Sequence, residues 1–180
     1  MKNEIKRYLG CANVDDDNLD KLMDTAIEQI ESAKNVKIMS EIFDISTDEN
    51  GVFCDEIYFR SKSLSKHLKT CKRAALVCIT LGVEVDRLID RTAIENIALA
   101  AVMQSTAAAI IEHELDLREK AICENHPTVM RFSAGYGDFD IAYQSDFLRI
   151  LKAYTIGVSL TESQQLVPTK TVTAIIGIKE

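Results

Sequence analysis

Apolar residues in the first part of the chain fall at helical spacing. Ile5, Tyr8 and Leu9 predict a short helix. After an Asp-rich turn at Asp15, Asp16 and Asp17, the positions Leu19, Leu22, Met23, Ala26, Ile27 and Ile30 predict a second, amphipathic helix with a solvated opposite face. The period then changes. Ile38–Ile45 and Val52–Phe59 are short runs with β-branched and aromatic residues, separated by a polar turn that ends at Gly51, and together they predict a hairpin. Ser61–Thr70, with Leu64 and Leu68 four apart, predicts a short helix leading into Ala74–Leu81, an apolar run of strand length closed by Gly82.

A helical turn over Glu84–Ile89 precedes a long Ala-rich pattern from Ile94 to Ile122 that contains neither Gly nor Pro. Small side chains let another element approach closely, which places this helix centrally. Pro127, which also restricts the residue before it, ends the pattern. Arg131–Asp140 then reads as a loop, Ile141–Ala153 resumes helical spacing, and Thr171–Ile178 predicts a closing strand. The order αββαβααβ predicts an α+β fold: a single compact domain over residues 1–180, with a largely antiparallel twisted sheet, a long central Ala-rich helix and an N-terminal helical segment within residues 1–35.

Composition narrows the function. With 180 residues and 47% hydrophobic content there is enough chain for one well-formed core. A net charge of −7 offers no cation excess to displace counterions from phosphates, which excludes an unaided grip on nucleic acid. No apolar segment approaches membrane-spanning length and the first residues hold no apolar leader run, so a cytoplasmic protein is expected. Five cysteines at irregular spacing, with no C-x-x-C pair, read as reduced thiols that pack as small hydrophobes. His67, His113 and His126 show no ligand-like pairing, and no metal site is expected.

The loop at Arg131–Asp138 carries the candidate chemistry. It offers a fixed cation, the Ser133 hydroxyl, backbone approach at Gly135 and Gly137, and the Tyr136 ring. That set suits a zwitterion attached to a flat base, because Arg pairs with a carboxylate and Tyr covers a ring or a cation. A surface turn with its aromatics tucked into the core has the same composition, and the residues alone leave both readings open. Neither G-x-G-x-x-G nor G-x-x-x-x-G-K-[ST] is present, so phosphate recognition at a Gly-rich helix start is unsupported.

The string Arg131-Phe132-Ser133-Ala134-Gly135-Tyr136-Gly137-Asp138 is followed by Leu160-Thr161-Glu162-Ser163, by Leu166-Val167-Pro168 and by the run from Val172 to Gly177. In order and spacing this resembles the activation (reactivation) domain of cobalamin-dependent methionine synthase, where an R-P-A-P-G-Y-type loop precedes an L-T-E-S segment and a strand. Arg7-Tyr8-Leu9-Gly10, Thr80-Leu81-Gly82 and the helix through Ser105 to Glu112 resemble free-standing members of that family, so the likeness spans nearly the whole chain. Ala134 stands where a proline is common in the loop. The chain also ends soon after its last strand, whereas methionine synthase continues, so ligand contacts from that continuation would be missing.

The resemblance implies an S-adenosylmethionine-binding module that presents the methyl donor for reductive methylation of an oxidised corrinoid. Such a module is a component of a methyltransferase system for methionine synthesis rather than a complete enzyme, and no residue of the chain has a catalytic role. The implied ligand residues are Arg131 for the methionine carboxylate, Ser133, Gly135 and Tyr136 beside the ligand, and Glu112 for the ammonium, with Glu114 as an alternative to Glu112. A solvated helix residue is the plainer reading of Glu112, and a helix cap that of Leu160–Ser163. The implied cofactors are S-adenosylmethionine and a cobalamin carried by a partner, a transiently bound corrinoid-binding methionine synthase chain. A flavodoxin-like electron donor is a further implied partner. A docking or regulatory module of the same fold without S-adenosylmethionine chemistry is the alternative.

Overall fold

A computed structural model describes residues 1–179. Among these residues five strands form one wholly antiparallel sheet in the order β3-β2-β1-β4-β7. They are β1 (Lys37–Thr47), β2 (Gly51–Cys54), β3 (Ile57–Arg60), β4 (Arg73–Thr80) and β7 (Thr171–Ile178). A separate two-residue pair joins β5 (Ser159–Leu160) to β6 (Leu166–Val167). The helices are α1 (Lys2–Tyr8), α2 (Asp17–Ala33), α3 (Lys62–Leu68), α4 (Val83–Glu95), α5 (Ile97–Ile122) and α6 (Gln144–Ile150). The α+β class, the antiparallel sheet and the long Ala-rich helix expected from the sequence are all present.

Local chemistry accounts for the element starts. The Asp16 side chain accepts the N–H groups of Asn18 and Leu19 at the head of α2, Ser61 accepts that of Leu64 in α3, and Asn96 accepts that of Leu99 in α5. Asn96 therefore divides the helical pattern expected over Ile94–Ile122, and Ile94 belongs to α4, which is longer than the single turn expected. A second correction concerns Val52–Phe59. It is two strands, because the polar pair Asp55-Glu56 makes a tight turn with Asp55 at φ 53°. The result is a three-strand meander where one hairpin was expected.

β4 is apolar at almost every position because both its faces are covered. Ala75, Val77 and Ile79 of β4, with Ala174, Ile176 and Ile178 of β7, face a helical layer that includes Ile5, Met23, Ile30, Met103, Ile110 and Leu115. Ala74, Leu76 and Cys78, with Ile175, face the opposite core of Phe59, Leu64, Leu68, Phe139 and Phe147. α5 extends about 39 Å at 1.5 Å per residue. Its C-terminal half passes the loop that follows it, and that juxtaposition positions the candidate site.

Candidate functional site

The segment after α5 is pinned at both ends. Its first half runs beside β7: the Val129 N–H donates to the Gly177 carbonyl at 2.9 Å, and Phe132 and Ile175 exchange two backbone hydrogen bonds at 3.0 and 2.8 Å. Gly177 is required at this approach, since a Cβ there would stand 2.7 Å from both Val129 Cγ2 and Cys71 Sγ. On the α3 side, His67 Nε2 donates to the Met130 carbonyl at 2.5 Å, and its ring lies 5.1 Å from that of Phe132. Phe139 anchors the second half, 1% exposed, with its ring 5.5 Å from Phe59 and 5.3 Å from Tyr143.

Asp138 fastens the end of the loop to the head of α3. Its carboxylate accepts the Ser61 hydroxyl at 2.6 Å and the N–H groups of Lys62 at 2.8 Å and Ser63 at 3.0 Å. These donors, Ser61 first, hold the Asp138 carboxyl well below the usual carboxylate range. Between the anchors the chain turns outward. The Tyr136 N–H donates to the Ser133 carbonyl at 3.1 Å, and the Gly135 N–H to the Phe139 carbonyl at 2.7 Å. Gly135 sits at φ +96° with open space where a Cβ would be, and Tyr136 is 59% exposed. The loop is thus a turn that buries Phe139, half-buries Phe132 and presents Tyr136 to solvent.

Arg131 points at α5. Its guanidinium pairs with Glu112 at 2.9 Å, Asp116 at 2.7 Å and Glu119 at 3.5 Å. Positions 112, 116 and 119 share one helix face, which brings all three carboxylates to a single cation. Glu112 and Glu114, alternatives in the sequence, are separated by geometry. Glu114 is buried and bonds Lys34 at 2.6 Å and Arg118, tying α5 to the end of α2. Burial alone would raise its carboxyl, but the hydrogen bonds from Lys34 and Arg118 outweigh that and hold it low. Glu112 instead faces the loop. Burial, followed by the nearby Glu112 carboxylate, pushes the Tyr8 phenol up.

The structure thus brings Arg131 and Glu112 into contact, while Gly135 and Tyr136 lie four and five residues further along the same loop, in a turn to which Ser133 contributes a backbone carbonyl. Asp116 and Glu119 have no place in the sequence expectations, Asp138 enters them only as the end of the loop, and His67 only as a histidine without ligand-like pairing. The 112-116-119 spacing is the signal that could have found the first two. Leu160–Ser163 is not a helix cap: the Thr161 hydroxyl accepts the Gln165 N–H at 3.1 Å and closes the small β5–β6 hairpin. A cleft lined by Asp116, Glu119, Lys120, Asn125, His126, Pro127 and Thr128 continues from Arg131 along the end of α5.

One guanidinium among three carboxylates leaves an excess of negative charge, which favours a ligand bearing a cation. A zwitterion could exchange with the internal pair, its carboxylate taking Arg131 and its ammonium taking Glu112. Among the described residues no group of three His, Cys, Asp or Glu side chains could hold a metal ion, and no helix is long and apolar enough to cross a membrane. All five cysteines are free; burial pushes the thiols of Cys54 and Cys78 up to about 12 and that of Cys123 up to about 11.

No protein-family model and no curated protein matches the sequence. Among solved structures the chain is similar to the MetH reactivation domain bound to AdoHcy, at 15% sequence identity and a TM-score of 0.60. The match covers 89% of this chain and 65% of that one, so the chain spans a little under two thirds of the length of the protein it matches. The likeness shows that the two share a fold.

Proposed function

We propose that this chain binds S-adenosylmethionine and presents its methyl group to a corrinoid carried by another protein, as a reactivation module in methionine synthesis. The observation that carries the reading is the meeting of Arg131 and Glu112 at 2.9 Å, with Arg131 in the same loop as Gly135 and Tyr136, on a fold shared with a reactivation domain bound to AdoHcy. A cation and an anion held at one site suit the two ends of an amino acid, which binds by displacing the internal pair, and the exposed Tyr136 ring can cover the sulfonium or the base.

The residues fit the ligand. Arg131 holds the methionine carboxylate, Glu112 the ammonium, and the open backbone at Gly135 with the turn at Ser133 lets the ligand lie close. The corrinoid, when bound to its own protein, supplies the methyl acceptor. This chain's contribution is orientation: by fixing the amino-acid end it aims the methyl carbon outward, and no side chain of the protein needs to exchange a proton for that purpose. A cobalamin-binding methionine synthase chain is the transient partner, and a flavodoxin-like protein is the electron donor.

One observation favours the second reading, a docking module of the same fold without adenosylmethionine chemistry: Arg131 is already held by three carboxylates. Calorimetric titration with S-adenosylmethionine separates the two. Saturable binding that is lost in Arg131→Ala supports the methyl-donor role, whereas no binding, even with a corrinoid protein present, selects the docking module.

A further inference from the structure

Charge is unevenly distributed along this acidic chain. From Ile57 to Val83 there are six Lys and Arg residues, His67 and no carboxylate, while the remaining 153 residues carry 28 carboxylates against 15 cations. The basic segment is centred on α3. Leu64 and Leu68 of that helix are buried, and Lys62, Lys66 and Lys69 project from its opposite side, all three exposed. Among the described residues none of these three ammonium groups is in an ion pair, in contrast to Arg73, which is held by Glu124 at 3.0 Å. With Ser65, Thr47, Asp48 and Glu49 they line a surface groove. Asp48 Oδ1 already accepts the N–H groups of Asn50 and Gly51 and the Tyr58 hydroxyl, and Glu49 is the other carboxylate of the groove.

We propose that the Lys62–Lys66–Lys69 face of α3 is the docking surface for a partner protein that presents a cluster of carboxylates. The inference rests on the reading above, in which the ligand must be delivered to a cofactor held by another protein, and it identifies where that protein sits. α3 is joined to the ligand loop at two points, through Asp138 at its head and through His67 on Met130. A protein seated on the lysines is therefore adjacent to the Tyr136 turn. An acidic protein surface fits better than nucleic acid. Three lysines with no aromatic residue among them on α3 give a phosphate backbone little purchase, and the strongly acidic remainder of the chain repels one. A folded partner offers its carboxylates locally and keeps clear of that remainder.

The test uses the full chain, an isolated cobalamin-carrying domain of methionine synthase as the probe, and the triple variant Lys62→Glu/Lys66→Glu/Lys69→Glu. All three positions are solvent-facing, so the variant should fold, and its circular dichroism is compared with the wild type. Expected are a wild-type dissociation constant that rises about tenfold between 20 and 300 mM NaCl, and about tenfold or greater weakening in the variant at low salt. Calorimetric binding of S-adenosylmethionine should be the same in both, which keeps this result separate from the ligand reading. The proposal is overturned if the variant binds the domain as tightly as the wild type, or if the wild type fails to bind while S-adenosylmethionine binding is intact. It is equally overturned if a single-stranded oligonucleotide binds the wild type more tightly than the domain does and is released by the same substitutions.

Discussion

Arg131 and Glu112 are 19 residues apart in sequence and 2.9 Å apart in space, so the two groups suited to opposite ends of a zwitterion neutralise each other. A bound amino acid must displace this pair, and Asp116 and Glu119 remain to compete for the cation. Replacing Glu112 with Gln removes the proposed anchor for the ammonium while leaving Arg131 paired with Asp116 and Glu119. Binding of S-adenosylmethionine should weaken by about tenfold, the effect of one charge-assisted hydrogen bond at a partly exposed site. Equal affinity in calorimetry would place the ammonium elsewhere.

Arg131→Ala should also be felt in stability, because it leaves Glu112, Asp116 and Glu119 facing one another across two turns of α5. The pairs are partly exposed and screened, so the loss should be about 1 kcal/mol in urea unfolding and should shrink at high salt. A loss that is independent of salt would mean that packing of the arginine stem matters more than its charge.

Asp138 gives a pH signature. Its folded-state carboxyl is held below the ordinary carboxylate range by Ser61, Ser63 and Lys62. Its contribution is therefore fully present above the unfolded-state value, near 4, and is lost as pH falls through the depressed folded-state value. Asp138→Asn should be less stable than wild type at neutral pH, and the two unfolding midpoints should converge as the pH is lowered below that of ordinary carboxylates. A constant gap across the acidic range would show that the anchor does not depend on charge.

Phe139 is the fastening of the loop to the second core. Phe139→Ala empties a site bordered by the rings of Phe59, Tyr143 and Phe147, and should cost about 3–5 kcal/mol, typical of a buried aromatic truncation. Proteolysis at the Tyr136 turn should accelerate in parallel. A stable but easily cleaved variant would indicate that the loop had detached without loss of the core.

The thiols report on folding. Cys54, Cys71, Cys78 and Cys123 are buried, and Cys11 is partly exposed. With the thiolates of Cys54 and Cys78 suppressed to about 12, a disulfide reagent at pH 8 should label Cys11 rapidly and the other four only on unfolding. Rapid labelling of a second thiol in the native protein would reveal local opening.

What was legible in the sequence follows the range of the forces involved. α2 stands out by its helical periodicity, α5 by a long Ala-rich run without Gly or Pro, and β4 by an unbroken apolar run of strand length. The split of Val52–Phe59 was hidden because it depends on Asp55 adopting a left-handed conformation that local composition does not demand. At the site, Arg131, Gly135 and Tyr136 were visible as a composition, but their relation to Glu112 came only through a family resemblance. Asp138 and His67 escaped because their partners, Ser61 and Met130, are more than sixty residues away.

The backbone bonds from Val129 and Phe132 to β7 have a further effect. β7 is the last strand of its sheet, and its outward row of amide and carbonyl groups is an open template for another chain. By occupying Gly177 and Ile175, the segment leading to Arg131 blocks that template. Any motion that peels the ligand loop away from the sheet exposes an adhesive edge. The chain is thereby obliged to keep this loop closed against its own aggregation.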